Sequence, residues 1–171
     1  MKFFVFVLLA VLVLVPVVDR HVQRKAIRDK AALSAIYNRL IPLDAEDLAE
    51  GGLLEAVREH VAEFHAYLPD LKPFEEIFGP DQASYTVRFE GREYVIYDEK
   101  TPEGASWHRA AWAFFDIINR QLEEIGSAYT FYAISGGNDL SGVFLNQFEY
   151  DFLMKKSKEN DRPYKPELDR P

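Results

Sequence analysis

Residues 129–145 read YTFYAISGGNDLSGVFL. Two uncharged runs, Tyr129–Ile134 and Gly142–Leu145, flank a polar turn cluster at Ser135–Ser141. Strands with apolar side chains on both alternating faces are covered on both sides, and Gly, Asn and Asp are the residues that reverse a chain between strands. The stretch therefore predicts a hairpin at the centre of a sheet, with Tyr129–Ile134 as a covered central strand.

Toward the C-terminus, Asn146 with Glu149 three residues on has the form of a capping box. It predicts a last helix carrying Phe148, Phe152 and Met154. Beyond Lys155 the composition turns to Lys, Glu, Asp and Pro, which predicts a disordered charged tail over residues 157–171.

Toward the N-terminus, Thr101-Pro102-Glu103 supplies an N-cap, a proline and an acid for a helix that Gly126 ends. Its apolar row is Trp107, Ala110, Ala111, Phe114, Ile118, Leu122 and Ile125. A second row, His108, Trp112, Phe115 and Asn119, widens the arc, so this helix should touch two layers, with the sheet under the first row and earlier helices beside the second. Residues 84–90 and 92–98 alternate in period two about Glu90-Gly91, predicting a hairpin that sets Val87 opposite Tyr94, Tyr85 opposite Ile96 and Arg88 opposite Glu93. Between Leu71 and Ser84, Pro73, Gly79 and Pro80 around Phe74, Ile77 and Phe78 suggest a docked helical turn. Asp44 is a helix N-cap, Gly51-Gly52 a stop, and Leu53, Leu54, Val57, His60, Val61, Phe64, Tyr67 and Leu68 the stripe of one further helix. Val22, Ala26, Leu33, Ile36, Tyr37 and Leu40 predict a stalk helix within residues 20–43. The resulting fold class is α+β: one domain over residues 44–156, with a mainly antiparallel sheet of about four strands packed on the long helix.

Charge is unevenly spread. Residues 1–30 hold six Lys/Arg against two Asp, and the remaining chain fourteen Lys/Arg against twenty-six Asp/Glu. An acidic body repels phosphate backbones, which excludes nucleic acid as a partner and admits a basic protein. The chain has no cysteine, so disulfides, thiolate nucleophiles and cysteine-ligated metals are excluded.

Residues 3–18, FFVFVLLAVLVLVPVV, are sixteen uncharged residues, just short of the roughly 17 to 25 that span a bilayer. Val15–Asp19 offers no small-residue cleavage site, so residues 1–19 are expected to form an uncleaved single-pass anchor. Lys2 on one side faces Arg20, Arg24, Lys25, Arg28 and Lys30 on the other, which places the body in the cytoplasm and the basic cluster near anionic lipid heads. The alternative is a secreted or periplasmic domain released by signal cleavage.

No stretch specifies a reaction. The 135–141 loop is first a hairpin turn; its second role would be a backbone nest in which Gly136, Gly137, Asn138, Asp139 and Ser141 bind an anion or a peptide carboxylate. It is neither a P-loop nor a dinucleotide turn. A hydrolase would use Ser135 or Ser141 as nucleophile, His108 as base and Asp139 or Asp116 as orienting acid, although the GxSxG elbow is missing. Asp98, Glu99 and Glu103 lack calcium-loop spacing. His60 and His65 stand about 140° apart on a helix, and Phe64 occupies the place of the second histidine of HExxH, so His60 reads as a buried structural residue and His65 as surface. No metal or cofactor is predicted. Tyrosines on the wetter hairpin face, beside acids, would grip a basic partner. The sequence thus favours a membrane-tethered, non-catalytic domain that binds a basic protein, as an inhibitor or immunity-like protein does. A small hydrolase with a site near His108 and the 135–141 loop, or a structural envelope protein, are the alternatives.

Overall fold

The computed structural model describes residues 22–168, and the chain divides into two units between Asn38 and Arg39. The described part of the first unit is one helix, α1, over residues 22–37. The anchor expected over residues 3–18 lies outside the described residues; among those described, no helix is long and apolar enough to cross a membrane. The stalk helix stops short of Leu40 because Pro42 favours extended backbone at Ile41, and the chain there begins the second unit.

That unit runs β1 (Ile41–Pro42), α2 (Ala45–Asp47), α3 (Leu53–Glu59), α4 (Val61–His65), β2 (Glu75–Phe78), β3 (Tyr85–Phe89), β4 (Arg92–Tyr97), α5 (Ala105–Glu124), β5 (Tyr129–Ile134), β6 (Ser141–Asn146) and α6 (Gln147–Lys156). This is an α+β fold. The two hairpins do not join in one sheet; each gains a third strand, giving two antiparallel sheets ordered β1-β6-β5 and β2-β3-β4.

The wide apolar arc of α5 accounts for the separation, because it packs against β4 of one sheet and β5 of the other. Trp112 lies on Tyr94 with ring centroids 5.2 Å apart, and Phe115 stacks on Phe131 at 4.6 Å. The second row, expected beside the helices, thus meets both sheets, while Phe114 of the first row meets both Phe64 of α4 and Phe131 of β5. The helix begins after Gly104, not at Thr101, because the Thr101 hydroxyl is occupied by Asp98 and Arg109.

In the β5–β6 hairpin, Tyr129 pairs with Asn146 and Ile134 with Ser141. The central strand is β6, buried from Gly142 to Leu145, and β5 is an edge strand, contrary to the reading of Tyr129–Ile134. Bare edges invite pairing with other chains, and this one is covered twice. The Asn119 amide donates to the Phe131 carbonyl at 2.9 Å while its oxygen accepts from the Phe131 N–H at 2.8 Å. Tyr164 exchanges two backbone hydrogen bonds with Ala133, at 2.8 and 2.9 Å, and its hydroxyl donates to the Ser135 carbonyl. Of the residues expected as a disordered tail, Tyr164 is therefore placed on the edge of β5, with Pro163 buried, and Lys165–Glu167 lie beside α5.

The β3–β4 hairpin pairs Val87 with Tyr94 and Arg88 with Glu93 as its alternation predicts, but a bulge after Tyr85 sets that residue opposite Tyr97 in place of Ile96. The segment read as a helical turn contains strand β2, paired along β3 from Glu75↔Arg88 to Phe78↔Tyr85. Phe78 stacks on Tyr85 at 4.7 Å. Glu76 accepts the Tyr85 hydroxyl at 2.7 Å and the Leu54 N–H at 3.2 Å. A strand carboxylate thus takes the orphan donor and the positive end of α3, whose own N-cap, Gly52, has no side chain to offer.

Gly51 and Gly52 end the first helical segment as read: Gly51 leaves helical backbone at φ 103°, and α3 starts directly after Gly52; a Cβ at Gly51 would come 2.6 Å from Cζ of Phe78. The single helix predicted from Leu53 to Leu68 breaks at His60 (φ −114°, ψ 29°) into α3 and α4, which turns Val61 to solvent. Helix α6 carries Phe148, which is 79% exposed; the Asn146–Glu149 capping box that opens that helix is present.

Two hydroxyls give the fold an alkaline limit. Burial, reinforced by a carboxylate acceptor, pushes up the pKa of Tyr85 beside Glu76 and of Tyr94 beside Asp116. A raised folded-state pKa leaves the stabilisation whole below the unfolded value of about 10 and removes it progressively above that pH. Denaturation midpoints should therefore fall as pH rises beyond about 10, and ultraviolet titration should show these two among the nine tyrosines ionising only as the chain unfolds. Full reversible ionisation of all nine with the fold intact would contradict the buried hydroxyl pairs.

Candidate functional site

The kink at Gly51 does more than connect helices. The β1–α2 corner and α3 on its two sides line a cleft of about 700 Å3. Asp44, Asp47 and Glu50 line one flank, Glu55, Glu59 and His60 the other, with Pro42, Leu43, Leu48 and Ala56 contributing apolar surface. Local chemistry fixes each position. Asp44 is the N-cap of α2, its Oδ1 accepting from the Glu46 N–H at 2.8 Å. Asp47 and Glu50 follow at three-residue spacing, and Glu55 and Glu59 are one turn apart on α3. Asp47, Glu50, Glu55 and Glu59 are exposed.

No Lys or Arg lines this cleft, and its four exposed carboxylates form no ion pair among the described residues. Five cations of the second unit pair elsewhere: Arg39 with Glu149 at 2.5 Å, Lys72 with Glu90 and Glu124, Arg88 with Glu75 and Glu93, and Arg92 and Arg120 with Asp116. The cleft is therefore a concave region of one charge sign, and low-dielectric walls on such a surface focus its field toward a cation. Among the described residues no group of three or more His, Asp or Glu side chains is arranged to hold a metal ion.

The residues singled out in the sequence fall elsewhere. Gly136, Gly137, Asn138 and Asp139 sit exposed at the tip between β5 and β6, and Ser141 is half-buried at the start of β6. Gly137–Asp139 form a short 3-10 turn. Ser135, at φ 61°, lines with Gly136 and Asp139 an open cavity whose other wall is Glu159–Tyr164. His108 lies on α5 with Nε2 against the Glu167 carbonyl. No hydrogen bond among the described residues joins Ser135 or Ser141, His108 and Asp139, and Asp116 is held by Tyr94, Arg92 and Arg120. Asp98 accepts from Thr101 and from the Lys100 N–H, which holds its carboxyl below the usual range; Glu99 and Glu103 are exposed. His60 is half-buried on the cleft wall and His65 is exposed. The hairpin tyrosines do not form a wet face: Tyr85 and Tyr94 are in the core, and Arg88, Glu93 and Val95 take the outer side of that hairpin.

Comparison with protein-family models, with curated proteins and with solved structures finds no match.

Sequence reasoning missed the cleft because each acid had a local explanation, as cap or as solvated helix face. The signal was the recurrence of acids at 44, 47, 50, 55 and 59 on both sides of a Gly-Gly pair.

Proposed function

We propose that this chain is a membrane-tethered, non-catalytic module that binds a basic protein segment, as an inhibitor or immunity-type protein does, with the cleft at Asp44–His60 as the receiving surface. The observation that carries this reading is the set of exposed, unpaired carboxylates converging on one concavity that contains no cation. Lysine or arginine side chains entering it would meet several carboxylates at once, a geometry that raises association rate and selects against acidic partners. The apolar floor at Leu48 and Ala56 would accept the aliphatic stems of the same side chains.

The test uses synthetic oligolysine as probe and the full chain as receptor. Combined Asp47→Asn, Glu50→Gln, Glu55→Gln and Glu59→Gln should weaken binding about tenfold or more, a loss of about 1.4 kcal/mol. A control removing the same charge away from the cleft, Asp70→Asn, Glu99→Gln, Glu103→Gln and Glu123→Gln, should leave affinity within about twofold, since separated exposed charges are screened by salt. All eight positions are exposed, so both variants should fold. Equal weakening in the two sets would reduce the effect to net charge and sink the assignment of the cleft.

A further inference from the structure

Helix α1 presents a second surface of opposite sign. At about 100° per residue, Arg24, Arg28, Ala31 and Ala35 fall on one side with Ile27 at its margin, while Lys25 and Lys30 stand about 100° and 120° from Arg24, off that face. Ile27 is 70% and Val22 59% exposed, and Arg24, Lys25, Arg28, Lys30, Ala31 and Ala35 are also exposed. Asp29, the one acid in the helix, is half-buried and points about 140° from Arg24. The opposite side carries Val22 together with the half-buried Leu33 and the buried Ile36. An acid-free cationic face holding an exposed isoleucine has the composition of helices that lie in the headgroup region of an anionic membrane. The sixteen uncharged residues 3–18 immediately precede this helix in the sequence.

We propose that α1 lies along an anionic membrane surface, Arg24 and Arg28 reaching lipid phosphates and Ile27 entering the headgroup boundary. This rests on the membrane-tethered reading and deepens it by naming the lipid chemistry beside the tether. Each basic residue near such a surface favours binding about fivefold, so Arg24 and Arg28 together should favour the docked helix about 25-fold over a neutral surface.

The absence of cysteine allows one probe to be placed uniquely: Ala31→Cys in the full chain, labelled with an environment-sensitive fluorophore and mixed with vesicles of phosphatidylcholine with or without phosphatidylserine. Flotation reports whether the chain is on the vesicles, and the probe reports whether α1 is against them. The expected result is a blue shift on phosphatidylserine vesicles that is lost at high salt and in the Arg24→Gln, Lys25→Gln, Arg28→Gln, Lys30→Gln variant, with water-like emission on neutral vesicles. Flotation with water-like emission on phosphatidylserine would overturn the docking and leave the tether standing. No flotation on either vesicle would overturn both. A concentration-dependent blue shift without lipid would assign the face to a second copy of the chain and overturn the lipid assignment.

Discussion

Truncating Phe131 to alanine should cost the domain about 3–5 kcal/mol, a third or more of a typical stability of about 5–15 kcal/mol. The ring is fully buried and is where three helix and strand contributions meet. It lies 4.6 Å from Phe115 of α5, 4.5 Å from Phe144 of β6 and 5.5 Å from Phe64 of α4. Removing it opens a cavity that three other aromatic rings cannot refill without leaving their own rotamers. Urea denaturation would show a lower midpoint with an unchanged slope. Phe148→Ala serves as control: that ring is 79% exposed, and its loss should stay within about 0.5 kcal/mol. Comparable losses for both rings would mean that the aromatic cluster is not the centre of the core. A coupling follows from the same contact. A Cβ built on Gly142 would overlap Cζ of Phe131, so Gly142→Ala should be severely destabilising alone and far milder where Phe131 is already alanine. The two changes share one volume, and a double-mutant cycle should return strong non-additivity.

The same residues show which parts of the fold a linear reading reaches. The β3–β4 hairpin was legible because its register is set by a local turn at Glu90-Gly91 and by period-two alternation across it. Its bulge was not, because what displaces Tyr85 is distant in sequence: Phe78 stacked on its ring and Glu76 on its hydroxyl. Strand β2 was hidden for a related reason. Its half-buried positions are the successive residues Glu76 and Ile77, which breaks the alternation that would have announced a strand; the Tyr85 hydroxyl and the Leu54 N–H at the start of α3 give the Glu76 carboxylate its partners. The strand β1 is two residues long, too short to carry any period. For the cleft, the acids were visible but their convergence depended on the direction in which the chain leaves the helix end at Gly51. The tail was read from composition alone, and composition averages away the buried Pro163 and the strand-paired Tyr164.

Asn119→Leu should be the most damaging polar-to-apolar change in α5, even though leucine suits a helix better and matches the neighbouring core. In the periodic pattern Asn119 merely extends an apolar row. In the fold it is 8% exposed and its amide replaces a neighbouring strand, giving one donor and one acceptor to the main chain of Phe131. Leucine would leave both Phe131 groups buried without partners at about 1–3 kcal/mol each, so a total near 2–5 kcal/mol is expected, partly offset by the added apolar burial. Asn119→Asp separates this account from a purely steric one. The carboxylate keeps the shape and still accepts from the Phe131 N–H, but when ionised it sets an oxygen against the Phe131 carbonyl and buries a charge. Protonation restores a donor, so the folded state favours the protonated acid and the introduced group's pKa rises on folding. Its favourable contribution is then fully present below the unfolded value of about 3.9 and is lost as pH rises through the folded one. The stability gap between this variant and the native chain should narrow on acidification, whereas the gap for Asn119→Leu should not depend on pH. Parallel pH profiles for the two variants would show that packing at position 119, and not the paired edge of β5, is what the residue supplies.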